Sequence, residues 1–403
     1  MTDAPRRPMA LFYAVIALVA FNLRDALTSL PTVLHEIQAA TGANEVMLGA
    51  LTTIPVLCMG AFAILAPITA ARFGATRVVS AAMAILVVAM GMRLWAASPL
   101  VLPVSVVLAG TGIALGAGLV PGIIRGQAPE RIGVATSAWT TAMFVGAATA
   151  AALTVPLSQL LGSWERALAF WAIPAAIAWV AWSLYERPSR TPVAGGIRLR
   201  VAELPWRDPI AWALTAWVAI NAIVFYSSVA WLAPSFVDRG FTPAQAGLAF
   251  GFFSILQILG AVVVPPTIHR TKRPRLLLSL VVAVGVVSLL VLAFGPTPAA
   301  MVALVAYALS LAAGFTAGLV LIPMTARDQQ DAAGLTAVIF TVTYLFGAIG
   351  PIVCGAIVQA TGSYTLVFVG LAIVGALQAV PVPWLKRGAK TRPAAAASAL
   401  SVE

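Results

Sequence analysis

The sequence predicts an all-α membrane protein, with twelve transmembrane helices in two six-helix parallel pseudo-repeats and both termini cytoplasmic. Three observations predict it. Of 403 residues, 61% are hydrophobic and only 9% are charged, against about 25% charged in soluble domains; mean hydropathy is +0.99. The apolar residues fall in runs of about 20, the length a helix needs to cross a hydrocarbon core. The basic residues punctuate these runs in alternate loops, so the formal net charge of +11 is a topology signal and not a nucleic-acid footprint.

The spans read at 9–34, 46–70, 77–97, 100–124, 134–161, 167–185, 209–233, 245–268, 276–294, 299–323, 334–359 and 365–385. An even count puts both termini in one compartment. With the N-terminus cytoplasmic, 20 of the 24 lysines and arginines fall on that side, from Arg6 and Arg7 to Arg392. Only Arg166 and Arg239 fall opposite, while Arg24 and Arg93 lie within spans. This bias predicts a multi-pass protein of a bacterial-type cytoplasmic (inner) membrane with its termini inside. The first apolar run is too long, and with Arg24 too charged, for a cleaved signal peptide.

Taken in order, the spans differ in the polar groups they carry. Span 1 holds Asn22, Arg24, Asp25, Thr28 and Ser29. A charge at a helix centre costs about 2.5–3.5 kcal/mol on insertion scales and usually faces a cavity or a partner. Arg24 lies roughly 22 Å along span 1 at 1.5 Å per residue. Its guanidinium either snorkels to the outer surface or supplies a fixed positive charge in a polar cavity. In the second case the planar fork of donors suits carboxylates, small oxyanions and pseudohalides. Thr28 shares its face at i,i+4. Asp25, about 100° around the helix, is either half of a structural ion pair or a proton-coupling carboxylate. Glu36 and Asp238, at outer helix ends, are expected to be solvated, as are His35 and His269.

Span 3 carries Arg93 near its outer end, beside Trp95. Span 4 contains GTGIALGAG at 110–118, a small-residue face that permits close helix approach, and span 5 carries Trp139. Pro121, Pro323 and Pro351 are expected helix breaks. The Pro-, Gly- and Arg-rich stretch 186–208 reads as a cytoplasmic linker between an N-terminal bundle, 1–185, and a C-terminal bundle, 209–385, ahead of a disordered tail at 386–403. Span 7 holds Asn221, Tyr226, Ser227, Ser228 and Trp231, span 8 holds Gln257, and span 11 holds Thr341, Thr343 and Tyr344. As a set these are expected to line a small polar-aromatic pocket with Trp139; singly, each is also ordinary helix–helix glue. Cys58 and Cys354 lie in apolar stretches of different halves, so neither a disulfide framework nor a metal site is expected.

The halves repeat. At an offset of 198, Gly42, Gly49, Ala63, Pro67, Thr69, Arg72 and Arg77 meet Gly240, Gly247, Ala261, Pro265, Thr267, Arg270 and Arg275. At an offset of 201, Gly133, Thr140, Gly146 and Ala147 meet Gly334, Thr341, Gly347 and Ala348. Six spans per half preserve orientation, so the repeat is parallel, an arrangement of transporters that bind substrate near the bilayer midplane between their halves.

This plan resembles the major facilitator superfamily. The loop after span 2, PITAARFGATR at 67–77, is a degenerate form of that superfamily's G-x-L-a-D-R-x-G-R-R signature: Arg72, Gly74 and Arg77 match, while Pro67 and Ala71 replace Gly and Asp. FNLRDALTSLPTVLHEIQAATG at 21–42 resembles the N-L-R-P-x-L-T-S opening of the cyanate/2-nitroimidazole transporter family. The similarity continues through TTIPVLCMGAFA at 52–63, Arg93, residues 154–182, Asn221, SSVAWLAPSF at 227–236 and Gln257. Asp25 stands where that family usually has Pro, and Phe340 where a Gln is expected. The resemblance implies a secondary transporter of a small anion or a small nitro- or carboxyl-bearing compound.

Two readings of function follow. In the first, a monomeric carrier moves such a substrate by alternating access, with Arg24 at the site and protons or the substrate gradient as the energy source. In the second, a proton-driven exporter of lipophilic compounds uses the arginines only structurally. No H-E-x-x-H, G-x-S-x-G, phosphate loop or paired carboxylates on one span occur, so neither an enzyme nor a cofactor is expected.

Overall fold

The computed structural model describes residues 9–62, 65–185, 208–271, 273–327, 329–385 and 391. Among them are twelve helical segments long and apolar enough to cross a membrane. They are Met9–Thr41, Glu45–Phe62, Ala75–Trp95, Val101–Gln127, Val134–Leu161, Trp164–Tyr185, Pro209–Asp238, Pro243–Val264, Pro274–Phe294, Thr297–Thr325, Gly334–Thr361 and Tyr364–Trp384, one for each predicted span. The linker, apart from Asp208, lies outside the described residues, as does the tail apart from Thr391.

Asp208 starts span 7: its Oδ1 accepts from the Ile210 and Ala211 amides at 2.7 and 3.2 Å, and Pro209 at the first helical position gives up no needed donor. At the other end of the chain, Thr391 is held in place. Its amide donates to the Thr325 carbonyl, and its hydroxyl donates to Asp331, which is also paired with Arg327 at 3.2 Å. Partial burial pushes the Asp331 carboxyl up, but the donors on Arg327 and Thr391 outweigh it and hold the group below its ordinary value.

Several spans are interrupted where the sequence shows only continuous apolarity. Span 1 is helical over Met9–Thr28, then passes through a 3-10 turn at Leu30–Val33 before resuming at Leu34–Thr41. Pro31, lacking an N–H, sits in that turn. Span 3 ends in a 3-10 turn at Met92–Trp95, span 6 is divided at Trp171, and span 11 at Ala348. The proline expectation needs correcting. The helices Val101–Gln127 and Thr297–Thr325 run unbroken through Pro121 and Pro323, because in a packed bundle the one lost backbone bond does not end a helix. Only the interruption before Pro351 fits the expectation.

The chain divides into two compact units. The first comprises Met1–Ala43, Ala61–Gly195 and Thr242–Gly251; the second comprises Asn44–Gly60, Gly196–Phe241 and Phe252–Glu403. Within the first, span 1 packs along span 5 and span 3 against spans 4 and 6. The start of span 8 joins it on the Ala148–Ala151 stretch of span 5, where a Cβ added at Gly247 would lie 2.6 Å from the Ala151 carbonyl oxygen. Within the second unit, span 7 packs along span 11 and span 9 against spans 10 and 12. The start of span 2 joins it, where a Cβ at Gly49 would lie 2.6 Å from the Pro351 carbonyl oxygen.

The repeat read from the letters therefore also exists in the backbone. Gly49 and Gly247 make the same close approach, and their upstream partners Gly42 and Gly240 both turn the chain with left-handed φ of 70° and 89°, which side chains rarely tolerate. The span 4 glycines act as the small-residue reading expects. Gly112 meets Leu86 of span 3, Gly116 meets Leu23 of span 1, and Gly118 meets Ala66 of span 2.

Candidate functional site

The polar segment Asn22–Ser29 of span 1 carries two formal charges, Arg24 and Asp25, well inside the span. It lies against span 5, where the Thr28 hydroxyl donates to the Ala147 carbonyl at 3.2 Å as well as to the Arg24 carbonyl at 2.9 Å. Gly146 makes this fit possible: a Cβ there would collide with the Phe21 carbonyl oxygen. Asn22 is fully buried, its Nδ2 donating to the Leu18 carbonyl at 2.7 Å while its Oδ1 has no partner among the described residues.

The three intramembrane charges are treated differently. Asp25 is 0% exposed, and neither carboxylate oxygen meets hydrogen-bond geometry with a partner among the described residues. Its charged neighbour is Arg93. Arg93 is itself 1% exposed; Nη1 donates to Ser29 Oγ at 3.3 Å and Nη2 to the Ala26 carbonyl at 3.2 Å. The chain's own breaks explain this placement. Span 1 stops being α-helical at Thr28, which leaves its last carbonyls short of helical partners. A cation at a helix C-terminus satisfies such a carbonyl and complements the dipole. The 3-10 turn ending span 3 advances about 120° per residue, burying Arg93 while Trp95 is left 66% exposed. Arg24, one residue from Asp25, is neither sealed nor fully exposed.

Ser29, the anchor of Arg93, stood in the polar segment with no partner assigned. The usable signal was depth: Ser29 and Arg93 both fall near the outer ends of their predicted spans. Glu36, expected to be solvated, instead accepts from Ser158 Oγ at 2.7 Å, because the second helical piece of span 1 runs on beside the end of span 5. His35 is exposed as expected. Both cysteines are buried free thiols, and no group of potential metal ligands occurs among the described residues.

In the second unit the selected side chains are largely engaged in packing. Asn221 donates to the Leu311 carbonyl at 3.2 Å, and Ser228 shares a 2.5 Å hydrogen bond with Tyr307; two turns apart, both face span 10. Ser227 fills the space over Gly350, and the Tyr226 ring lies against Gly347. Trp231 donates to the Pro351 carbonyl at 2.8 Å. Trp217 does the same toward Gly314, as Trp182 of the first unit does toward Thr76, so these buried indoles act as helix staples. Tyr344 stacks obliquely on Phe340, ring centroids 5.8 Å apart, and its Cβ faces Gly60. Gln257 is buried on span 8, and Trp139 is buried on span 5 of the first unit.

Three further polar side chains converge in the second unit. Tyr307, Ser310 and Gln378 join Asn221 around a cavity of about 20 Å³ inside the second unit. That is room for one water-sized group and too little for an organic substrate. Isolated Ser, Tyr and Gln in separate apolar runs gave no hint of their convergence.

Comparison with known proteins bears on what such a chain does. A family model described as the Major Facilitator Superfamily matches residues 10–332 and 232–401. The chain is 29% identical over 367 residues to the 2-nitroimidazole transporter of Escherichia coli (strain K12), covering 91% of this chain and 93% of that protein. It is 29% identical over 279 residues to the cyanate transport protein CynX of the same organism, covering 66% and 69%. In fold it is similar to the inward open conformation of the xylose transporter XylE from E. coli. There the TM-score is 0.77 at 13% identity, over 98% of this chain and 100% of that one.

Proposed function

The chain belongs to the Major Facilitator Superfamily, and from that premise we propose that it is a secondary active transporter of a small anion, or of a small nitro- or carboxyl-bearing compound. It works by alternating access in a bacterial cytoplasmic membrane, with both termini on the cytoplasmic side. One observation carries the reading: of the three charges inside spans, Asp25 and Arg93 are dry, whereas Arg24 keeps part of its side chain accessible. A permanent cation held partly open within a span suits a guest of opposite sign. Relatives named for 2-nitroimidazole and cyanate carry a nitro group and a small anion, both of which a planar fork of N–H donors can bind. Asn22 and Thr28 set the local geometry around Arg24. The remaining candidates (Arg93, Trp139, Asn221, Tyr226, Ser227, Trp231, Gln257 and Tyr344) shape the helices that carry the substrate path.

Purified protein screened against small monoanions and heteroaromatic acids is expected to gain several degrees in Tm with the right ligand, since about 2.7 kcal/mol accrues at a hundredfold excess over Kd. Arg24→Ala should lose that gain while keeping its own unliganded Tm. An equal gain in both proteins would remove Arg24 from the site.

Asp25 is the proton-coupling group in this reading. A buried carboxylate is costly to keep ionised, and the Arg93 guanidinium nearby offsets only part of that cost. In proteoliposomes, Asp25→Asn is expected to abolish accumulation driven by a proton gradient and to leave substrate counterflow intact. Gradient-driven accumulation at the wild-type level would refute the assignment.

A further inference from the structure

An apolar groove of about 520 Å³ runs along the second unit between the start of span 7 and the end of span 12. Span 7 contributes Pro209, Ala213, Ala216 and Ile220, which at i, i+4, i+7 and i+11 form one helix face about 16 Å long. That length is close to one leaflet of a roughly 30 Å hydrocarbon core. Trp212 and Trp384 flank the groove and are 44% and 50% exposed. Tryptophans at this position are those of the interfacial belt.

The end of the groove is charged. Arg275, at the start of span 9, donates from its guanidinium to the Pro383 carbonyl, directly beside Trp384. A guanidinium carries five N–H donors, and this contact uses one of them. Arg270 and Arg273, in the same turn of chain, are exposed. An apolar slot one leaflet deep, rimmed by tryptophan and closed by the Arg275 guanidinium, matches a lipid with an acyl chain and an anionic headgroup.

We propose that this groove is a binding site for one anionic phospholipid, its acyl chain lying between spans 7 and 12 and its phosphate on Arg275. The proposal is independent of what the protein transports. A single cation near an anionic headgroup is worth about a fivefold preference, and that preference is the quantity to measure.

The protein, which has 11 tryptophans, is reconstituted in phosphatidylcholine doped with a few per cent of brominated phosphatidylglycerol or brominated phosphatidylcholine. Tryptophan fluorescence is then followed. For the part of the quenching that is lost in Trp212→Phe/Trp384→Phe, the anionic quencher is expected to act at about one-fifth the concentration of the zwitterionic one. The excess should vanish in Trp212→Phe/Trp384→Phe and in Arg275→Gln, and survive in Arg275→Lys, which keeps the charge and controls for folding. Native mass spectrometry of the wild type should show one retained phosphatidylglycerol. Equal quenching by both lipids, an excess undiminished in Arg275→Gln, or a mass of two chains with no lipid would each overturn the proposal.

Discussion

Arg93→Met is expected to destabilise the first unit by about 3 kcal/mol or more, since each hydrogen bond from a buried charged group is worth about 1.5–3 kcal/mol and Arg93 makes two. Three losses combine. The Ala26 carbonyl loses its cap, Ser29 loses its donor, and the Asp25 carboxyl loses the cation it faces. Arg93→Lys should recover only part of the loss, because one ammonium cannot reproduce a fork that reaches two acceptors a turn apart. The decisive measurement is a double-mutant cycle in detergent unfolding. If the charge pair dominates, Asp25→Leu/Arg93→Met is more stable than Arg93→Met alone, since an apolar pair replaces an orphaned charge. If Arg93→Met costs less than about 1 kcal/mol, the guanidinium does not tie span 3 to span 1.

Gly146→Val is expected to be comparably severe, at about 3 kcal/mol or more, which is the upper end for overpacking. The new Cβ would strike the backbone of Phe21, and backbone cannot rotate away as a side chain does. Spans 1 and 5 must then part, breaking the Thr28–Ala147 hydrogen bond and displacing the segment that carries Arg24. Gly122→Ala is the control. A Cβ there meets nothing within 4 Å, so replacing glycine in a helix should be neutral or stabilising by up to about 1 kcal/mol. Similar melting temperatures for the two variants would show that spans 1 and 5 are not in close backbone contact.

Much of the architecture was legible because a bilayer imposes a length on every crossing. The apolar runs gave twelve spans, and Gly42, Gly49, Gly240 and Gly247 gave the repeat. The breaks inside spans were less legible. Pro31, Pro121 and Pro323 look alike as letters, yet only Pro31 lies where a helix stops, because neighbouring spans decide whether a missing N–H matters. Of the candidate site, the charges were readable since any charge in an apolar run stands out. Their pairing was not: Arg93 and Ala26 lie 67 positions apart, and the contact exists only because spans 1 and 3 both lose helical form at matching depth. Asn221 and Trp231 stand out in the sequence by polarity and aromaticity. Their observed partners are main-chain carbonyls, Leu311 and Pro351, which no side-chain pattern reveals.

The shared torsions at Gly42 and Gly240, and the matched approaches at Gly49 and Gly247, make this chain its own replicate. Any lesion introduced at one of these positions has a counterpart elsewhere in the same polypeptide, in a corresponding setting. Comparing the two members of a pair cancels bilayer, detergent and expression effects that confound comparisons between separate proteins. What is left is the asymmetry that separates a duplicated scaffold from the chemistry grafted onto one copy of it.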